Sequence, residues 1–209
     1  MEDRCSGYQI AQATGSDIDW IAKLEKKLYS ADAIPEQVLR EWYAANPNGF
    51  SIIKGHSGKP IGHLDILPLR PSTLDAFCKG NIVESEIRGD SLYSEKERHL
   101  ITALYVESLI LRPERPLTPA SAMMCVLKNL QTLIERVTDP SSLDKVYAIA
   151  ATGAGEKLMR RLSFVLEGSR ERRKDHHHLF VARFSELSKR AERFSGNQPS
   201  LARSIEAGL

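Results

Sequence analysis

The sequence predicts an α/β fold: one mixed sheet of about six to seven strands with helices on both faces. Three observations lead there. The elements read in the order β-α-α-β-β-excursion-β-α-β-α-β, with antiparallel hairpins first and a βαβ unit later. The 209 residues are 42% hydrophobic and 27% charged, which suits one ordinary core. No internal repeat or low-complexity block competes with that reading.

Residues 8–14 alternate as a first strand, and Ser16 or Asp17 can cap the helix that follows. In that helix Ile18, Ile21, Leu24 and Leu28 recur on one face, while Glu25, Lys26 and Lys27 supply a polar side. Pro35 opens a second helix through Val38, Leu39 and Trp42, which the run from Asn46 to Gly49 stops. Two strands, 50–54 and 60–67, flank a polar, glycine-containing hairpin turn. Residues 70–98, with Pro71, Gly80, Gly89 and many charges, read as an excursion holding one short helix near 73–78.

Residues 100–111 are nearly all apolar or β-favouring and predict a strand buried on both faces. After a proline-rich turn, residues 120–137 carry apolar side chains at helical spacing and predict the longest helix. Residues 146–150 read as a buried strand, 155–162 as a helix and 177–184 as a last strand. The expected division is thus a single domain over 1–184 and a polar tail over 185–209.

Composition removes several function classes. With 29 Lys and Arg against 27 Asp and Glu, a net charge of +2 gives no electrostatic case for nucleic acid as the main partner. The basic stretch 157–174 reads either as a solvated face or as an anion site. No segment has the roughly 20 apolar residues of a membrane helix and no signal peptide is visible, so the expected location is the cytoplasm. Cys5, Cys78 and Cys125 are odd in number and widely spaced, suggesting neither a disulfide framework nor a zinc site, and Cys125 reads as a small core residue. His176, His177 and His178 would alternate across a strand and cannot converge on one ion, so no metal is expected.

The stretch Glu107-Ser-Leu-Ile-Leu-Arg-Pro113, followed by a loop and a long helix, resembles the fourth strand and cofactor loop of the GNAT superfamily, the acetyl-CoA-dependent N-acyltransferases. A second stretch, Ala151 to Phe164, resembles the segment in which that family has an asparagine, a helix with a tyrosine, and Gly-Phe. The likeness spans roughly residues 8–184 and implies a GNAT-like fold. It further implies acetyl-CoA, or another acyl-CoA, as co-substrate, splayed between the fourth and fifth strands. Leu109, Ile110 and Leu111, the loop residues Arg115, Leu117, Thr118, Pro119, Ala120 and Ser121, and Thr152 at the asparagine position would line it.

Departures are plain. The family's loop is Arg or Gln, two residues, Gly, one residue, then Gly or Ala; here Pro116, Pro119 and Ser121 stand at those positions. Pro119 removes an N–H from a cradle that works through bared helix N-terminal donors. Met159 stands where the family has its general acid, and Tyr105 is the nearest substitute. Glu107 matches the strand-four glutamate that acts through water as general base; otherwise it would pair with an Arg or Lys of the excursion. Asp65 and His63 raise a similar question on the third strand. The resemblance thus implies acyl transfer to a primary amine of a small molecule or protein, with a homodimer left open; a degenerate acyl-CoA-binding or interaction module is the alternative.

Overall fold

The computed structural model describes residues 3–5, 7–112 and 118–196. They build a mixed sheet of eight strands in the spatial order β1-β2-β3-β4-β5-β6-β8-β7. The strands are β1 (Asp3–Cys5), β2 (Tyr8–Gln12), β3 (Phe50–Lys54), β4 (Pro60–Leu67), β5 (Ala103–Leu111), β6 (Lys145–Ala150), β7 (Val165–Gly168) and β8 (His178–Arg183). Every pairing is antiparallel except β5 with β6, the βαβ unit expected from sequence. The short β1 and β7 are the additions; Val165 and Leu166 are exposed, so a four-residue edge strand lacks the buried alternation that announces one.

Helices cover both faces. On one side lie α1 (Gly15–Tyr29), α2 (Glu36–Ala45) and α3 (Pro71–Cys78), over a core that includes Ile18, Ile21, Leu39, Trp42, Phe50, Phe77 and Tyr105. The opposite core takes Leu64, Ile66, Leu104, Val146 and Phe180 from the sheet, under α4 (Pro119–Lys128), α5 (Leu130–Val137) and α7 (Phe184–Gly196). Remaining is α6 (Gly153–Arg161), which follows β6. Entry into α1 is fixed by Asp17, whose carboxylate accepts from the Thr14 N–H at 2.8 Å.

Three expectations need correction. The helix expected over 120–137 is two helices broken at Asn129, whose N–H is shared between the Cys125 and Val126 carbonyls and whose side chain donates to the Cys125 carbonyl at 2.9 Å. An asparagine that bonds its own backbone competes with continuation, and α1, at 15 residues, outruns both pieces. Residues 185–196, expected in a polar tail, belong to α7, which buries Phe184, Leu187 and Ala191 against α4; residues 197–209 lie outside the described residues. Finally, Cys5 and Cys125 form a disulfide between β1 and α4, although their separation of 120 residues hid the pairing.

The excursion is ordered by anchors rather than by regular structure. After α3 it consists of short 3₁₀ turns at Glu84–Glu86, Gly89–Ser91 and Glu95–Leu100. Trp42 Nε1 donates to the Ile87 carbonyl at 3.1 Å, and Asn46 Nδ2 to that of Tyr93 at 2.9 Å. Arg70 grips Glu97 through both carboxylate oxygens at 2.8 and 2.9 Å. The Glu86 carboxylate takes the Val83 N–H at 2.8 Å, closing the turn that carries Glu84 inward.

Candidate active site

The β5–β6 ladder runs from Ala103↔Lys145 to Val106↔Ala148 and stops, although β5 continues to Leu111 and β6 to Ala150. The sheet opens like a V where parallel pairing ends. One residue further along β5 the register against β4 slips, from Val106↔Ile66 to Ser108↔Asp65, which leaves Glu107 as the extra residue of a bulge. A bulge re-aims a side chain and bends the strand. Here it puts Glu107 at the apex of the opening.

A cavity of about 160 Å³ occupies this opening. Val106 to Leu109 and Ala148 to Thr152 form its walls, Leu158 and Met159 of α6 close one side, and Glu25, Tyr29, Asp32 and Glu84 line the other. Glu107 is half-buried as a residue, but its Oε2 is sealed from solvent without a partner. The excursion sends it no cation; it brings Glu84, another carboxylate. Burial first, then the charges of Glu25, Glu84 and Asp65, hold the Glu107 carboxyl well above the usual carboxylate range.

Behind the cavity stands a buried relay. Asp65 accepts from His63 Nδ1 at 2.9 Å, while His63 Nε2 faces Glu25 Oε1 at 3.8 Å. Glu25 is only 1% exposed, and beyond a weak approach of the Ile34 backbone neither of its carboxylate oxygens is in a well-formed hydrogen bond. Burial pushes its pKa up to about 8, against the pull of His63 and with the repulsion of Asp65 and Glu84. For His63 burial acts downward, yet the Asp65 charge and hydrogen bond, with Glu25 beyond, leave it raised. Glu25, His63 and Asp65 are the group of acids and histidine closest to a metal-ligand set among the described residues. One ligand atom from each lies within 4.8 Å of the others, while the shortest contacts put the two carboxylates on opposite nitrogens of the imidazole.

The other expected residues divide sharply. Leu109 and Thr152 line the cavity; Thr152 also caps α6, accepting from the Gly155 N–H at 3.0 Å. Ile110 and Leu111 pair with His63 and Gly62 of β4, beyond the cavity walls. Tyr105 is fully buried against Phe77 and donates its hydroxyl to Glu84, so it stands behind the site as a prop. The phenol that does line the cavity is Tyr29, pushed up to about 12 by burial and by Glu107, Glu25 and Glu84. Met159 also lines it, as does His177 alone of the three histidines. Arg115 and Leu117 lie outside the described residues.

Thr118, Pro119, Ala120 and Ser121 form the first turn of α4, away from the cavity. Thr118 Oγ1 accepts the Ser121 N–H at 3.1 Å, Pro119 has none to offer, and the Tyr8 hydroxyl sits on the Thr118 carbonyl and Ser121 Oγ. Two of the donors a phosphate would seek in that turn are therefore absent or engaged.

Sequence reasoning missed Glu25, placing it on the polar side of its helix. The buried residues of α1 are Ile18, Ile21, Ala22 and Glu25, with Leu24 and Leu28 only half-buried. The spacing from Ile18 through Ile21 to Glu25 was legible as a stripe, but a carboxylate on it was not credible without His63 opposite.

These acids give a pH signature. Glu25, near 8, and Glu84, raised to about 7 chiefly by burial, bind protons more tightly folded than unfolded. Their stabilising contribution is complete below the ordinary carboxylate pKa of about 4.3 and is lost as pH rises through 7 and 8. His63, also raised, acts in the same direction. Calorimetric Tm should therefore fall between about pH 5 and 9, and Glu25→Gln should make the fall shallower. A Tm that rises over this range would contradict the assignment.

No protein-family model matches the chain. No curated protein matches it in sequence. Solved structures do match its fold. The loading GNATL domain of CurA from Lyngbya majuscula superposes with TM-score 0.57 at 13% identity, over 85% of this chain and 98% of that one. Ard1 from Thermoplasma volcanium gives 0.52 at 10% over 84% and 95%, and a GCN5-related N-acetyltransferase from Brucella melitensis 0.52 at 10% over 99% and 94%. The chain has the mixed-sheet fold of the GNAT acyltransferases, in a highly divergent sequence.

Proposed function

We propose that this chain transfers an acyl group from an acyl-CoA thioester to a primary amine: the N–C bond forms as the C–S bond breaks, Glu107 receives the amine's proton, and the CoA thiolate leaves and takes up a proton to depart as free CoA. One observation carries the reading: the sheet parts at the bulge that aims Glu107 into the opening, with an unpartnered carboxylate oxygen. The walls suit an extended acyl-pantetheine arm, being small or apolar at Ala148, Ala150, Ala151, Leu109 and Leu158. When bound, the acyl-CoA would supply the activated carbonyl. The chain's own part is to hold that carbonyl beside the amine, keep water out and accept a proton at Glu107. A carboxylate whose affinity for protons has been raised by burial and neighbouring acids is a stronger base for that last task. Acyl-CoA chemistry would place the chain in the cytoplasm, where a disulfide such as Cys5–Cys125 is uncommon.

The α4 turn favours a second reading, a non-catalytic acyl-CoA-binding module, since its donors at Pro119 and Ser121 are missing or used. Titration with acetyl-CoA tests cofactor binding. At ten times Kd, a ligand specific to the folded state should add about 1.4 kcal/mol, or roughly 3–6 °C in Tm. Pro119→Gly, which restores an N–H, should tighten binding. No Tm shift at millimolar acetyl-CoA would remove both readings; binding without turnover on any amine would leave only the second.

A further inference from the structure

Among the described residues the cavity is lined by four carboxylates, Glu25, Asp32, Glu84 and Glu107, and by no Lys or Arg; His177 also lines it, and the charge of Arg112 reaches Tyr29 at its wall. Behind them Asp65 adds a fifth acid, met by the single imidazole of His63. Arg173, the nearest guanidinium in the electrostatics of Glu84, is already committed to Asp175 and the Phe77 carbonyl. Apart from exposed Asp32, the acids are not a solvated rim. Glu107 Oε2 lacks a hydrogen-bond partner, and the buried Glu25 has only the Ile34 backbone and His63 Nε2 at 3.8 Å nearby, with neither oxygen in a well-formed hydrogen bond, a costly state for carboxylates unless something positive meets them.

We propose that the acceptor is a slender aliphatic amine carrying at least two positive charges, of the diamine or polyamine class, with its reacting amine at Glu107 and a second ammonium held by Glu25 and Glu84. The inference rests on the acyl-transfer reading for which nitrogen reacts; the binding of the dication stands on the cavity alone. One ammonium could pair with only the acids it touches, leaving the others buried and protonated without a partner. Between them Ile34, Val106 and Met159 offer apolar wall for methylene spacers. At about 160 Å³ the cavity is close to the size of an engineered cavity that admits one benzene, so it takes an extended chain more readily than a substituted ring system. Exposed Asp32, with Tyr29, stands at the mouth.

The arrangement also predicts a proton count. Carboxyls held protonated by burial and mutual repulsion must release protons when a cation arrives among them, so binding of a diamine near pH 7.5 should expel protons into the buffer.

The test is isothermal titration of the full chain with 1,4-diaminobutane, spermidine and n-butylamine, in two buffers of different ionisation enthalpy and with EDTA present. The diamines should bind at least about tenfold tighter than the monoamine, with net proton release, and Glu25→Gln and Glu84→Gln should each remove most of that advantage. Equal affinity for diamine and monoamine, or a preference unchanged in both variants, overturns the proposal. Binding that disappears in EDTA and returns with a divalent metal also overturns it, assigning the buried acids to an ion. Acetyl-CoA is titrated separately. Diamine binding without acetyl-CoA binding would sink the acyl-transfer reading and keep this one; acetyl-CoA binding without diamine preference would do the reverse. Should Glu25→Gln fail to fold, Glu84→Gln carries the comparison alone.

Discussion

Glu107→Gln should leave acetyl-CoA affinity nearly unchanged and lower turnover by about 10²–10⁴-fold, the range for loss of a general base. The amide keeps size and polarity and removes the basic oxygen. The pH profile gives a finer check. Only the ionised carboxylate can accept a proton, and burial with three neighbouring acids holds Glu107 protonated well past the ordinary range, so kcat/KM should rise with pH on its acid limb. Removing one like charge relaxes the repulsion, so in Glu25→Gln that limb should move to lower pH. Wild-type turnover in Glu107→Gln would take this residue out of the mechanism. An acid limb unmoved in a folded Glu25→Gln would show that the two acids do not share one electrostatic site.

The largest stability effect is expected at Arg173, which is 3% exposed. Its Nη1 donates to the Phe77 carbonyl at 2.7 Å, its Nε and Nη2 to the two oxygens of Asp175, and its guanidinium lies 4.7 Å from the Phe77 ring centroid. The contact is tight enough to need a glycine: at Gly80, φ +71°, a Cβ would come within 2.7 Å of the Arg173 Cα. Arg173→Met leaves Asp175 as a buried, unpaired charge and should cost about 3–5 kcal/mol. For a domain of this size that is a fall of roughly 6–20 °C in Tm. Arg173→Met with Asp175→Leu should recover most of it, because the penalty comes from the stranded partner. A loss below about 1 kcal/mol in the single variant would mean that the pair is solvated rather than buried.

Much of the sheet was legible because its strands obey local rules. The hairpin of β3 and β4 has its turn, and β5 is an unbroken apolar run with one acid in it. Glu107 stood out for that reason. What stayed hidden depended on partners distant in sequence. Glu25 looked like surface until β4 supplied His63. Tyr29 at the end of α1 carried no sign that it would line a cavity between β5 and β6. The break at Asn129 turns on a side chain choosing its own backbone, and periodicity passes over it. Tyr105, on the right strand and two residues from Glu107, is drawn behind the site because its hydroxyl serves Glu84. In α7, Phe184, Leu187 and Ala191 did have helical spacing, but the charges around them pointed to solvent.

The packing of α7 on α4 also bears on synthesis. A nascent chain emerges N-terminus first, yet the side of α4 (Pro119–Lys128) turned away from β2 and β5 is covered only when Leu187 and Ala191 have left the ribosome. At about 5–20 residues per second that face waits several seconds for its cover. Over the same interval the sheet lacks β8, which must slot between β6 and β7. The half of the molecule bearing Glu25, His63, Asp65, Glu84 and Glu107 is thus made first, and the interval before β8 and α7 arrive is when a chaperone would find the most to hold.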